Sequence, residues 1–310
     1  MTNTLIPTYR LSREDLDVIS ETMPYQKQFA TVSSKRLAYI EVGEGNPIVL
    51  LHGNPTSSFL WRNIIPELEG LGRIIVPDLI GQGDSEKLPA GEGPDRYSFQ
   101  VAYDYLDGLL RQLGVMQNVT WVIHDWGSGL GFHWTKNHPQ AVKGIAYMEA
   151  IVAPMSWQHW PEKAKGIFQG FRSAKGEELI LQRNMFVEAV LPSAILRQLT
   201  DTEMEHYRRP FTNPDDRQVT LNWPRQLPID GEPAHMVKLV KEYGEFMAGS
   251  TNLPKLFINA EPGSILIGPQ RELCRRWPNQ QEVTVKGAHF LQEDSPQEIG
   301  QAVASWLRSL

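Results

Sequence analysis

The chain of 310 residues contains a single cysteine, Cys274, and no apolar run long enough to cross a membrane. One thiol excludes an internal disulfide and a metal site built from cysteines, and it suits a reducing compartment. Residues 1–10 lack the basic segment and the apolar stretch of a signal peptide. We therefore expect a cytoplasmic protein that is not inserted in a membrane.

Clusters of basic residues are missing as well. The chain has 30 Lys and Arg against 36 Asp and Glu, which gives a formal net charge of -6 at pH 7. Nucleic-acid phosphates and anionic membranes attract clustered positive charge, which this chain does not offer. The charge balance therefore disfavours both kinds of partner.

The composition is typical of a globular protein, with 41% hydrophobic and 21% charged residues. Its length exceeds that of one compact core, which predicts one α/β domain with an inserted subdomain. Short apolar runs alternate with helix-compatible stretches, which predicts a mostly parallel eight-stranded sheet flanked by helices. The predicted strands are residues 29–32, 36–42, 48–51, 74–76, 119–123, 145–148, 255–259 and 282–285. The first two form a hairpin, and the polar, acidic residues 11–28 before them predict a surface helix or arm.

Residues 154–228 break this alternation, because helical segments follow one another there without strands. We predict a helical cap over residues 154–228, inserted into a core formed by residues 1–153 and 229–310. The predicted cap helices are residues 160–171, 177–190, 194–199 and 202–207. Cap aromatic side chains that could lie over the strand ends are Trp157, Trp160, Phe168, Phe171, Phe186 and Trp223. Packing within the cap itself is the alternative for each of them.

The central motif is a strand, a tight turn and a helix around Asp125. The β-branched run 119–123 ends at His124, and Asp125, Trp126 and Gly127 precede a helix-compatible run. In α/β-hydrolase folds such a turn presents the nucleophile beside backbone N–H groups. A carboxylate is already an anion at neutral pH, so Asp125 can attack a saturated carbon directly and form an ester. The alternative is that Asp125 only caps the helix.

A base is needed to activate the water that cleaves this ester. His289 lies in the loop after the last predicted strand, where this fold delivers its base, and the chain order nucleophile, acid, histidine supports the assignment. The imidazolium needs an anionic partner. Glu149 and Glu261 each end a predicted strand, and their spacing does not choose between them. His52 and His124 are predicted to be structural supports.

The leaving group also needs stabilisation. Trp126 offers an indole N–H beside the nucleophile, and Asn54 offers an amide on the loop after the first buried strand. Neither donor is acidic, so the pair suits a large halide better than an epoxide oxygen. Alternatively, Asn54 and Trp126 contribute only backbone N–H groups to an oxyanion hole.

Several longer motifs carry these residues. They are His52-Gly53-Asn54-Pro55, Pro77-Asp78-Leu79-Ile80-Gly81-Gln82-Gly83, His124-Asp125-Trp126-Gly127, Met148-Glu149-Ala150 and Gly287-Ala288-His289-Phe290-Leu291-Gln292-Glu293-Asp294. With the cap stretches Asn184-Met185-Phe186-Val187-Glu188, Leu191-Pro192 and Trp223-Pro224-Arg225, they resemble the haloalkane dehalogenases of the α/β-hydrolase superfamily. The likeness covers almost the whole chain. Through Phe257-Ile258-Asn259-Ala260-Glu261-Pro262-Gly263 it is especially close to the lindane-pathway type.

The resemblance implies a role for each site residue and a substrate. Asp125 would attack a small halogenated hydrocarbon, His289 would activate water, and Glu149 rather than Glu261 would assist His289. Asn54 and Trp126 would bind the halide ion through their side chains, and no cofactor or metal is implied. By the same resemblance, Phe168, Phe186, Pro224 and Ile265 would line an apolar pocket. From their place among the cap aromatics, we predict that Phe171 and Trp223 also contribute to it. The stretch Ser264-Ile265-Leu266-Ile267-Gly268 departs from the family pattern.

Three other functions are weighed against this one. A coelenterazine-oxidising luciferase resembles the family at the same five positions, so these residues do not exclude an oxygenase. An epoxide hydrolase is disfavoured by Asn54. A catalytically silent binding protein is disfavoured by the intact set of Asp125, Glu149 and His289. We expect a monomer or a weak homo-oligomer.

Overall fold

An eight-stranded sheet organises the protein in a computed structural model that describes residues 19–310. The strands are β1 (Gln28–Val32), β2 (Lys35–Val42), β3 (Pro47–Leu51), β4 (Arg73–Pro77), β5 (Val119–His124), β6 (Val142–Ala150), β7 (Lys255–Pro262) and β8 (Gln280–Gly287). Their order across the sheet is β1-β2-β4-β3-β5-β6-β7-β8. Strand β2 pairs antiparallel with β1 and with β4, and all other pairs are parallel. The predicted fold class is confirmed: this part of the chain forms a mostly parallel eight-stranded sheet.

The predicted hairpin is present at the edge of the sheet. Ser33 and Ser34 connect β1 to β2 with φ angles of +46° and +68°. Positive φ at both central residues matches the right-handed twist of the two strands. Of the arm predicted over residues 11–28, residues 11–18 lie outside the described part of the chain, and Gln28 belongs to β1.

Helices connect and flank the strands. They are α1 (Ile65–Leu68), α2 (Phe99–Gln112), α3 (Asp125–Asn137), α4 (Glu162–Phe171), α5 (Leu191–Ser193), α6 (Asp201–Arg208), α7 (Gln218–Gln226), α8 (Ala234–Gly249), α9 (Gly268–Arg275), α10 (Leu291–Asp294) and α11 (Pro296–Leu307). Helix α2 begins at Phe99, and the side chain of the preceding N-cap residue Ser98 accepts a hydrogen bond from the Val101 N–H. In the range 19–310, no helix combines the length and apolar character needed to cross a membrane.

The segment between β6 and β7 is helical, but less regular than predicted. The helix predicted over residues 177–190 is two π-helical stretches, Glu177–Gln182 and Phe186–Val190, separated at Asn184 with a φ of +51°. The prediction of a helix over residues 194–199 is wrong, because this stretch has no regular secondary structure. The backbone N–H groups of Leu196 and Arg197 donate to the Asp294 carboxylate.

Strands β3 and β5 are buried along their whole length, as expected for the centre of a parallel sheet. Their carboxyl ends lead into the loop that begins at His52 and into helix α3. In open α/β sheets ligands bind at this edge, so these two neighbouring strands position the site.

Candidate active site

Asp125 occupies a strained turn at the carboxyl end of β5. Its φ is +48°, a left-handed conformation that residues with a side chain rarely adopt. Two glycines let this turn pack against the loop after β3. A Cβ on Gly53 would lie 2.1 Å from Asp125 Oδ2, and one on Gly127 would lie 2.3 Å from the Leu51 carbonyl oxygen. The nucleophile turn therefore requires glycine at both positions.

The two oxygens of the Asp125 carboxylate have different partners. The backbone N–H of Asn54 donates to Oδ2 at 2.8 Å, and the backbone N–H of Trp126 also donates to this carboxylate. Oδ1 lies 3.3 Å from His289 Nε2. Burial raises the pKa of Asp125, but the hydrogen bond with His289 and the nearby positive charge outweigh burial and lower the pKa below its usual value. Asp125 is therefore an anion at neutral pH although only 8% of the residue is exposed.

Glu149 is the acid that contacts His289. Its Oε2 lies 3.0 Å from His289 Nδ1. By contrast, Glu261 is exposed and pairs with Arg271 at 3.3 Å. The sequence spacing leaves both acids open as partners of His289, and the distances in the structure identify Glu149 as the one in contact with it.

Three backbone N–H groups form a cradle that binds the carboxylate of Glu149. Glu149 is buried, with 1% of the residue exposed. The N–H groups of Ser264, Ile265 and Leu266 donate to it at 3.0, 2.8 and 3.3 Å. A buried carboxylate is costly unless its oxygens accept hydrogen bonds, and three N–H donors meet that requirement. The stretch that departs from the family pattern is therefore the one that binds the acid.

His289 lies between two carboxylates, and this determines its protonation. Burial lowers the pKa of His289, but the hydrogen bonds to Asp125 and Glu149 outweigh burial and raise the pKa to about 9. The imidazole is therefore protonated at neutral pH while Asp125 is ionised.

The predicted supporting role of the other two histidines is confirmed by their contacts. His52 Nε2 accepts a hydrogen bond from the Leu79 N–H at 3.0 Å, and His52 Nδ1 lies 2.8 Å from the Gly53 carbonyl oxygen. His124 Nε2 lies 2.8 Å from the His289 carbonyl oxygen. Burial lowers the pKa of His52 to about 4 and that of His124 to about 3, so both stay neutral.

The two predicted halide donors flank Asp125. Asn54 is 3% exposed, and its Nδ2 also donates to the Thr220 carbonyl in helix α7 at 3.4 Å. Trp126 is 2% exposed, and its ring lies 4.8 Å from the ring of Trp223, also in α7. Helix α7 therefore contacts both donors from the side of the helical segment.

The six predicted pocket residues lie in three different surroundings. Phe171 and Phe186 stack at 5.4 Å in a small core with Ile180 and Leu221, and Phe168 packs against that core. Trp223 and Pro224 are buried in α7, and Ile265 is partly buried beside the Glu149 cradle. Their role as pocket walls stays a prediction.

Known proteins share this arrangement of fold and sequence. A family model described as the alpha/beta hydrolase fold matches residues 46–180. A haloalkane dehalogenase of Sphingobium indicum is 53% identical to the chain, and the alignment covers 92% of the chain and 96% of that protein. The chain belongs to the haloalkane dehalogenase family.

Further relatives agree with this membership. A haloalkane dehalogenase of Mycolicibacterium smegmatis is 49% identical, with 93% of each chain covered. The crystal structure of the haloalkane dehalogenase DbeA from Bradyrhizobium elkani matches with a TM-score of 0.86 and 39% identity, covering 92% of this chain and 98% of that one. The family predicted from the motifs is confirmed, and the protein is an enzyme of the α/β-hydrolase fold.

Some residues around the site of this haloalkane dehalogenase were not singled out from its sequence. Gln82 Nε2 donates to the Gly53 carbonyl at 3.0 Å, and Gln82 Oε1 accepts from Trp223 Nε1 at 3.2 Å. Gln82 thereby links the nucleophile loop to helix α7. Its place between Gly81 and Gly83 in a loop after a buried strand was the available signal. Thr220 acts through a backbone carbonyl, for which residue type gives no signal.

Proposed function

We propose that the protein hydrolyses the carbon–halogen bond of small haloalkanes and releases an alcohol, a halide ion and a proton. The proposal rests on the observation that the two oxygens of the Asp125 carboxylate have different partners. Backbone N–H groups hold one side of it, and Oδ1 faces His289, which contacts Glu149 in turn. An anionic nucleophile beside a histidine base suits the attack on a tetrahedral carbon followed by ester hydrolysis.

In the first step Asp125 Oδ1 attacks the carbon that bears the halogen. A carbon–oxygen bond forms, the carbon–halogen bond breaks, and the halide leaves with the bonding electron pair. The side-chain N–H groups of Asn54 and Trp126, which are both buried, stabilise the developing halide charge. The Thr220 carbonyl supports this role, because it accepts from the Asn54 amide and so keeps Nδ2 as the donor.

In the second step water attacks Asp125 Cγ and His289 Nε2 takes its proton. The charge that develops on the carbonyl oxygen is held by the backbone N–H groups of Asn54 and Trp126. The tetrahedral intermediate then collapses: the bond from Asp125 Cγ to the alkyl oxygen breaks, His289 donates its proton to that oxygen, and the alcohol leaves. One oxygen from water remains in the Asp125 carboxyl group, whose proton passes to His289 and restores the carboxylate beside the imidazolium. Glu149 stabilises the imidazolium and keeps its ring oriented.

Alkylation itself would prepare the base. The raised pKa of His289 depends on the negative charge of Asp125. Esterification removes that charge, so the pKa of His289 falls and its proton is released to solvent. His289 then becomes a neutral base at the stage when a base is required.

The helical segment would supply the substrate pocket. We place the cap at residues 154–228 and the core at residues 1–153 and 229–310. The aromatic and apolar side chains Phe168, Phe171, Phe186, Trp223, Pro224 and Ile265 would enclose a small halogenated hydrocarbon and limit the entry of water. We expect the enzyme to act in the cytoplasm as a monomer or a weak homo-oligomer.

Substitution His289→Phe tests the mechanism, because it should permit alkylation and block hydrolysis. With 1-chlorobutane or 1,2-dibromoethane, we expect about one halide ion per enzyme molecule and a stable alkyl mass on Asp125. The double variant Asp125→Ala, His289→Phe should gain no mass. Absence of an added mass in the single variant would refute the covalent mechanism, and light emission with coelenterazine without halide release would indicate an oxygenase.

A further inference from the structure

An irregular segment of the helical region, residues 194–200, is bonded to the loop that carries His289. The Ala194 carbonyl accepts from the Phe290 N–H at 3.1 Å. The N–H groups of Leu196 and Arg197 donate to Asp294 Oδ1 at 2.8 and 3.1 Å. Asp294 Oδ2 in turn accepts from the Ala288 N–H at 3.1 Å. The residues on either side of His289 are therefore tied to this segment.

Arg197 adds charged contacts to the same loop. Its Nε donates to the Glu293 carbonyl at 2.5 Å, and one terminal nitrogen lies 2.6 Å from Glu293 Oε2. The guanidinium also pairs with Glu203 of helix α6 through both carboxylate oxygens, at 2.5 and 2.8 Å. Such forked pairing fixes the direction as well as the distance of the partner. Arg197 thus joins α6 to the segment that follows His289.

The surrounding cluster is buried and balanced in charge. Arg62, which lies beside the loop after β3, pairs with Glu293 at 2.7 Å and with Glu203 at 2.8 Å. Tyr207 donates to Glu293 as well. The side chains of Arg62, Glu203 and Glu293 are at most 1% exposed, whereas that of Arg197 is 23% exposed. Two cations against two carboxylates leave no uncompensated charge, and the low dielectric makes the arrangement stiff.

We propose that Arg197 is a positioning residue for His289, and that through it the helical segment holds the base in place for the hydrolytic step. The inference rests on the proposed function. His289 has to hold its Nε2 beside water and the Asp125 carbonyl carbon, and small displacements of a base cost large factors in rate. Alkylation by Asp125 does not use His289. Loss of Arg197 should therefore slow the second step and spare the first.

Arg197→Met tests this, and Arg208→Met is its matched control. Arg208 lies in α6 and pairs with Glu188 rather than with the His289 loop, and both side chains are more than a third exposed. With 1,2-dibromoethane, we expect Arg197→Met to release the first halide at the rate of the unaltered enzyme. Its steady-state rate should then fall by about 10- to 100-fold. Alkyl-enzyme should accumulate, visible as added mass in rapidly quenched samples. Arg208→Met should show neither effect.

Two further variants keep the inference falsifiable if Arg197→Met folds poorly. Arg197→Lys keeps the positive charge but loses the bidentate pairing with Glu203, and it should recover part of the hydrolysis rate. Asp294→Asn disturbs the same loop independently and should also accumulate alkyl-enzyme. Equal slowing of both steps in Arg197→Met, or an ester level no higher than in Arg208→Met, would overturn the inference. Failure of the unaltered enzyme to release any halide would instead refute the proposed function.

Discussion

At the scale of single residues, the use of aspartate in place of serine determines what the neighbouring groups must do. Asp125 is buried, yet its pKa stays below the usual value because backbone N–H groups and a protonated His289 surround it. A serine at this position would need His289 as a base before the first attack. Here the histidine begins as an electrostatic partner of Asp125 and becomes a base only after the ester has formed.

The raised pKa of His289 predicts a pH dependence of stability. Its unfolded pKa is near 6.5 and its folded pKa is about 9, so the folded state binds the proton more tightly. The resulting contribution, about 3 kcal/mol, is fully present below pH 6.5 and is lost as the pH rises through 9. We expect the difference in unfolding free energy between the unaltered protein and His289→Gln to shrink by this amount between pH 6 and 10. Urea unfolding across that range measures it, and a constant difference would contradict the protonated resting state.

Trp126→Phe separates halide binding from packing. The Phe ring keeps much of the contact with Trp223 but lacks the indole N–H. Removing one donor to a developing charge in a buried site costs about 10²-fold in rate. We expect a loss of that order in halide release with a melting temperature within a few degrees of the original. Unchanged turnover together with a lower melting temperature would mean that Trp126 acts only in packing.

At the scale of structural elements, the site is built from loops at the strand ends whose close approach depends on glycine. Gly53 lets the loop after β3 contact the nucleophile turn, with its potential Cβ position only 2.1 Å from Asp125 Oδ2. The loop after β7 presents three N–H groups to Glu149. The catalytic groups are therefore oriented by backbone that neighbouring strands bring together.

Gly53→Ala should impair the first chemical step. The added methyl group would push Asp125 and the oxyanion-hole N–H of Trp126 from their positions, and a shift of about 1 Å costs on the order of 10²-fold in rate. Single-turnover halide release is the measurement. Gly91→Ala is the control, because its Cβ would meet no atom within 4 Å. A normal rate in Gly53→Ala would show that the two loops can separate without harm.

At the scale of the whole molecule, two buried or half-buried charge clusters join the helical segment to the rest of the protein. One contains Arg62, Arg197, Glu203 and Glu293. In the other, Lys27 contacts Asp78 and Asp84, and Asp84 pairs with Arg209 near the end of α6. Charged clusters are directional, so they favour one placement of the helical segment over others that apolar packing alone would allow.

Arg62→Met tests the weight of the first cluster. It leaves two buried carboxylates with only the partly exposed Arg197 to compensate them, and breaking a buried pair on one side typically costs about 3–5 kcal/mol. We expect a loss of that size in the free energy of unfolding, measured by urea denaturation. Arg208→Met breaks an exposed pair and should cost less than about 1 kcal/mol. Equal losses in the two variants would show that the cluster adds nothing beyond a surface ion pair.

The sequence alone determined the features that depend on local pattern. Apolar β-branched runs predicted the eight strands, and the turn after β5 and the loop after β8 predicted Asp125 and His289. Prediction failed where backbone partners are remote. Residues 194–199 have helix-compatible composition, yet they are irregular, and the N–H groups of Leu196 and Arg197 donate to the Asp294 carboxylate, nearly a hundred residues away.

Tertiary structure alone decided which groups meet. Spacing left Glu149 and Glu261 as equal candidates, because each ends a strand, and the resemblance to the family chose Glu149. Only the folded chain brings Glu149 to 3.0 Å from His289 and leaves Glu261 in solvent beside Arg271. The contacts of Gln82, Thr220 and Arg197 likewise depend on partners far along the chain. Local periodicity carries no information on such pairs, because their distances are set by how the strands, loops and helices pack.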